Sequence, residues 1–151
     1  MSNLTFYSRP GRGEEFRNKF GFSECCIIGD KLELAGQAGM LDSMEISENL
    51  EEEISQAFDN INGVILHALE QANHPTSSSG KSGWDRVFKV RTYHTNLDQE
   101  EIHEQTIQAM VAQVKKWCPD HQPIWTMVGV SSLPFPGQNV EIEVEAFLGE
   151  K

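Results

Sequence analysis

Near its C-terminus the chain runs Val140-Glu141-Ile142-Glu143-Val144-Glu145-Ala146, alternating apolar and acidic residues. In a strand, successive side chains point to opposite faces, so Val140, Ile142, Val144 and Ala146 make an apolar face while Glu141, Glu143 and Glu145 share the other. A carboxylate fixed on a strand beside apolar groups has its pKa raised toward values useful for moving protons. Three acids on one sheet face also make an ordinary solvated surface. What stands next to them on the sheet therefore decides between chemistry and solvation.

Other reactive side chains offer less. Cys118-Pro119-Asp120-His121 holds two metal-ligand types, but nothing with ligand spacing completes a set, so no metal is expected. Gly80-Lys81-Ser82 is like the end of a phosphate-binding loop, yet the position of its leading glycine holds Pro75. His74 to Gly83 reads instead as a flexible surface loop rich in serine and glycine. The adjacent Cys25 and Cys26, with Cys118, do not suggest a disulfide scaffold. No cofactor is expected.

The elements that must position the acids follow from periodicity. Ile54, Ala57, Phe58, Ile61, Val64, Ile65, Ala68, Leu69 and Ala72 recur at helical spacing, and Glu48, Glu51, Glu52 and Glu53 crowd the end where the helix dipole favours acids. A second helix is expected from Gln99 to Trp117, with Ile107, Met110, Val111, Val114 and Trp117 on one stripe and Asp98 and Glu101 as a capping box. Strands fit Glu24 to Ile28, Lys31 to Gly36, Arg86 to His94, Ile124 to Ser132 and Val140 to Leu148, with Gly29-Asp30 turning the first pair. Two amphipathic helices and about five strands make an α+β layer pair in which the helices cover one sheet face. On the uncovered face parity places Glu33 and Ala35, Arg91 and Tyr93, Trp125 and Met127, and Glu143 and Glu145. Aromatic groups beside charges there suggest an interface or a ligand pocket.

The 151 residues are read as one domain spanning 1–151, long enough for a real hydrophobic core. A formal net charge of −11 repels phosphate backbones and anionic membrane surfaces, which makes nucleic acid a poor partner. No apolar run approaches the roughly 20 residues of a membrane span, and the first residues lack the apolar centre of a secretory signal. A cytoplasmic protein that does not engage membranes is expected.

The ordered set of segments resembles the YjgF/RidA superfamily of enamine and imine deaminases. Carrying the resemblance are Phe20-Gly21-Phe22, Gly29 to Gln37, Gln56-Ala57-Phe58-Asp59-Asn60, Lys89 to Leu97, Leu133-Pro134 and Val140 to Ala146, which together span nearly the whole chain. The resemblance implies a chorismate-mutase-like fold, a homotrimer whose sheets form a central barrel, and ligand sites in the clefts between subunits. In family members that deaminate, an arginine eight residues before the leucine of the Leu-Pro pair grips the carboxylate of a 2-imino acid. Here that position is Trp125. The next site position, often cysteine, is Met127; the tyrosine ahead of the first strand is Phe22; the serine before Gly36-Gln37 is Ala35; the glutamate of the last strand is kept as Glu143.

An indole offers one neutral donor and a stacking face, and cannot supply the two-pronged charged hydrogen bond of arginine. The family pattern thus implies a pocket of Phe22, Ala35, Gly36, Tyr93, Trp125 and Met127 suited to an apolar or aromatic small molecule, with Glu143 as its proton-handling residue. Arg91, on the same face by parity, is the candidate replacement cation. The leading expectation is a deaminase-like hydrolase acting on an enamine, imine or related electrophile other than a simple 2-imino acid. The alternative is a noncatalytic trimeric module that binds a ligand or a protein. Ribonuclease activity, also ascribed to the superfamily, is disfavoured by the net charge.

Overall fold

The structure, a computed structural model, describes residues 4–74 and 82–149. The elements are β1 (Thr5–Tyr7), α1 (Arg12–Phe20), β2 (Cys25–Ile28), β3 (Lys31–Leu34), β4 (Gln37–Ala38), α2 (Leu50–Gln71), β5 (Val87–His94), α3 (Glu100–Trp117), β6 (Ile124–Gly129) and β7 (Val140–Phe147). The strands form one mixed sheet in the order β1-β2-β3-β7-β5-β6, with β4 also pairing β7. Among the described residues only β5 and β6 run parallel, and α3 makes the crossover between them, as a parallel connection requires. The Gly80-Lys81-Ser82 motif lies largely outside the described residues, as do Pro75 to Gly80 of the loop read from the sequence.

The core forms where the apolar face of β7 meets α2. Ile142 and Ala146, with Leu32 of β3, are fully buried against Ile54, Ala57, Phe58, Ile61 and Ile65 of α2. Each of the leucine, isoleucine and phenylalanine side chains contributes about 1.5–3 kcal/mol by leaving water. Trp84 seals this layer: its ring stacks on Phe58 at 4.7 Å and its Nε1 donates to the Phe58 carbonyl at 3.0 Å. Asn49 caps α2, its side chain accepting from the Glu52 amide at 3.0 Å, and the acids of the first turn suit the dipole. α3 packs on α2 and adds Ala109, Met110, Val114 and Trp117 to the same side.

Several details differ from the sequence reading. β1 and α1 add a strand and a third helix; α1 has only Phe16 and Phe20 at helical spacing in an otherwise polar segment, too few apolar residues to mark it. The α3 cap is Gln99, with no side-chain cap bond, so Asp98 and Glu101 form no capping box. The strand expected over Lys31 to Gly36 breaks after Leu34. From Glu33↔Glu145 to Gln37↔Ile142 the chain takes four steps against three on β7, so one extra residue bulges out at Ala35-Gly36 and re-aims the side chains around it.

The placement of Trp125 and Met127 is corrected. The register pairs Trp125 with Val90 and Met127 with Thr92, which puts both on the helix-covered face, while Arg91 and Tyr93 lie beside Thr126 and Val128 on the other. Trp125 packs against the core, and its Nε1 donates to Oγ1 of the buried Thr92 at 3.0 Å. The reason is local: Ile124-Trp125-Thr126-Met127-Val128 has apolar residues at both parities, so alternation alone does not say which face turns inward.

Candidate functional site

The uncovered sheet face carries paired charges. Lys31 bridges Glu33 at 3.4 Å and Glu145 at 3.2 Å, Lys89 reaches Glu145 at 3.1 Å, and Arg91 reaches Glu143 at 3.4 Å. Lys89, with Lys31, holds the Glu145 carboxyl below its usual range. Tyr93 donates its hydroxyl to Glu143 at 2.7 Å, and that bond raises the phenol's own pKa. The structure therefore brings Arg91, Tyr93 and Glu143 together, as parity led us to expect. It does not bring Trp125 or Met127 to them.

A cavity of about 450 Å³ opens at the Ala35-Gly36 bulge. Phe22, Ala35 and Gly36 all line it, so these three candidates converge. The acid that lines it is Glu141 rather than Glu143. Gly36 is needed there, because a Cβ at this residue would lie 2.7 Å from Glu141 Cγ and 2.8 Å from its Oε1. Burial, and then the charge of Glu143, push the Glu141 carboxyl above its usual range. Glu143, two residues on, stands outside the lining in the Tyr93 and Arg91 network, and Arg91 does not line the cavity.

Part of the remaining wall comes from α1. Gly11 and Gly21, both with φ of 80°, bracket this helix, and Gly21 in the left-handed conformation ends it by donating to the Arg17 carbonyl at 2.9 Å. Phe16 and Phe20, one turn apart, meet edge to face at 5.4 Å. Phe16 also stacks on Phe135 at 5.5 Å and lies 6.1 Å from Phe22, so four phenylalanines form one side. Glu24 lines the cavity but is consumed: it accepts from Arg9 Nε at 3.1 Å and Nη2 at 2.9 Å, and from the Arg9 amide at 2.8 Å. Arg12, 6% exposed, donates Nη1 to the carbonyls of Met40 and Leu41, the latter at 2.7 Å. Sequence reasoning missed Arg12, Phe16, Phe135 and Glu141 as lining residues. The one available signal was the close run of Phe16, Phe20 and Phe22 just ahead of the first core strand.

The sequence profile of the endoribonuclease L-PSP family matches residues 14–148. The chain belongs to this, the YjgF/RidA family. Solved structures agree on the fold: protein YJGH superposes with a TM-score of 0.71 at 22% identity, covering 99% of this chain and 100% of the other. A Mycobacterium tuberculosis member of the YjgF/YER057c/UK114 family gives 0.68 at 23%, covering 96% and 99%. RidA from the Antarctic bacterium Psychrobacter gives 0.64 at 19%, covering 97% and 99%. No curated protein matches. As a YjgF/RidA chain, the molecule has the family's mixed α+β fold, and α1 supplies Phe16 and Phe20 of its aromatic cavity wall. Among the described residues, no helix is long and apolar enough to cross a membrane.

Proposed function

We propose that this YjgF/RidA chain is a cytoplasmic, homotrimeric small-molecule enzyme that hydrolyses an imine, enamine or related electrophile with an apolar or aromatic body. The observation that carries the reading is the convergence of Phe22, Ala35 and Gly36 on a phenylalanine-walled cavity whose wall also holds a carboxylate with a raised pKa. In the reaction, water adds to the imine carbon, a proton passes to nitrogen, and the carbon–nitrogen bond breaks to leave a carbonyl and ammonia. An enamine first takes a proton on carbon. A carboxyl that holds its proton more readily than usual is suited to donate it, and its anion to accept one from water. In this reading Glu141, which lines the cavity, takes that step, and Glu143 continues the polar path through Tyr93 and Arg91 on the face where a second subunit would close the cleft. Trp125 and Met127, on the helix-covered face, enter this reading as support behind the sheet.

Ribonuclease activity is not what the site supports. The cations Lys31, Lys89 and Arg91 of the open face are each engaged by glutamates, and the net charge is −11.

The test is a panel of imines generated in place by an amino-acid oxidase, aliphatic and aromatic, with ammonia release measured for wild type, Glu141→Gln and Glu143→Gln. Gln keeps size and shape but loses the proton, so loss at a proton-handling residue should be about a hundredfold. Gly36→Ala, which pushes the Glu141 carboxylate aside, should lower turnover while keeping the fold. Ligand binding without acceleration of any imine would favour the noncatalytic module. Equal rates in wild type and both glutamine variants would remove the β7 acids from the chemistry.

A further inference from the structure

Arg12 is a buried cation whose charge has no ion-pair partner. Among the described residues no carboxylate comes within ion-pairing distance of it, and Glu24, which shares its wall, is taken by Arg9. Its hydrogen bonds use Nη1 alone, on two carbonyls of the segment after β4. Nε and Nη2 are left as donors, and neither is a sealed, unsatisfied atom, since among the described residues only Nδ1 of His94 is that. A buried charge is costly unless a counter-charge and hydrogen bonds offset it. Burial, followed by the proximity of Arg9, lowers the Arg12 pKa, and the fields of Glu24 and Asp42 offset this only in part.

We propose that Arg12 is the anion anchor of the cavity, and that the ligand is a small planar aromatic carboxylate. Its carboxylate would meet the free guanidinium edge, and its ring the Phe16, Phe22 and Phe135 wall. The three parts share one lining: cation, aromatic wall and, at Gly36, the Glu141 carboxyl. A guanidinium pairs a carboxylate through two parallel N–H donors, and a neutral amide of the same shape lacks the charge that makes this pairing strong. The cavity's size admits one ring with a short side chain. Trp125 lies on the opposite sheet face, and among the described residues Arg12 is the one cation that lines the cavity. The inference rests on the reading that this cavity takes an apolar or aromatic small molecule, and adds the charge that molecule must carry.

The experiment uses the assembled full-length protein with phenylacetate and phenylacetamide as paired probes, their affinities measured by titration calorimetry and ligand-observed NMR at pH 7. Wild type should bind the acid at least about tenfold more tightly than the amide. Arg12→Gln should bring the two within about threefold, chiefly by weakening acid binding, and Arg12→Lys should fall between. Circular dichroism and sedimentation check that the variants fold and assemble. The wild-type ratio stands alone if Arg12→Gln does not fold, and ring-to-ring NOEs from phenylacetate to phenylalanines, lost in Phe16→Leu, locate the probe. Equal affinity of acid and amide in wild type, or an acid preference that survives in Arg12→Gln, overturns the anchor and leaves the aromatic cavity standing. Binding of neither probe at millimolar concentration overturns the anchor and the aromatic reading together.

Discussion

Glu53 should be the most sensitive polar residue outside the cavity, because one buried carboxylate fixes the start of β7. It is 0% exposed, and it accepts from the Asn139 amide at 2.6 Å, from Asn139 Nδ2 at 3.1 Å and from the Val140 amide at 3.2 Å. Glu53→Ala removes all three bonds and strands two backbone donors, one of them on the fully buried Val140. At about 1–3 kcal/mol for each stranded donor, less the relief of a desolvation that already raises the carboxyl's pKa, the net loss is about 1.5–4 kcal/mol. In a domain of this length that lowers Tm by about 3–16 °C. Glu53→Gln keeps the oxygen that serves both backbone amides and turns an NH2 toward Asn139 Nδ2, so its cost should be about 1–2 kcal/mol. Urea unfolding at pH 7 measures both. Because Glu141 follows Val140 directly, the alanine variant should also weaken binding in the cavity. A Glu53→Ala stability within 1 kcal/mol of wild type would refute the reasoning, showing either that water satisfies the freed amides or that the carboxylate cost as much as its bonds returned.

Trp125→Arg, which restores the family's residue at that position, should not confer turnover of small aliphatic 2-imino acids. It should lower stability by about 2–3 kcal/mol, because it puts a guanidinium against the core and removes the bond to Thr92; a stable variant with new activity in a dehydratase-coupled assay would contradict the observed register. His94 is 1% exposed and burial lowers its pKa to about 4. A depressed folded value means its contribution is complete above the ordinary histidine range near 6.5 and is lost as pH falls from there to about 4, by up to about 3 kcal/mol, and His94→Gln should flatten that part of the stability–pH curve. Glu141 has the opposite sign: its raised folded value means the contribution is complete in acid and is lost as pH rises through the carboxylate range, so Glu141→Gln should gain stability near pH 7 and lose that gain below about pH 4. Sedimentation at micromolar concentration should give three times the monomer mass, and a monomer would remove the basis for a cleft between subunits.

Much of the fold was legible because burial imposes a period. The alternation of β7 and the stripe of α2 each have one apolar face, so Ile142, Ala146, Ile54 and Phe58 have only one place to go, and the ordered motifs around them pointed to the family. β6 was not legible in this way: with apolar residues at both parities, only its register against β5 sends Trp125 inward to Thr92 and leaves Ile124 64% exposed. The candidate site divides along the same line. Phe22, Ala35 and Gly36 were found because they sit in a recognisable run, and the acids of β7 because they alternate. That Glu141 rather than Glu143 lines the cavity follows from one bulged residue near Gly36, a local departure from strand geometry that no alternation pattern records. That Arg12 shares the wall follows from a short helix docking far along the chain from β7. Sequence by itself determined which residues must be buried and which family's frame they build. Tertiary structure alone decided which charge faces which ring, because that depends on register and docking between segments distant in the chain.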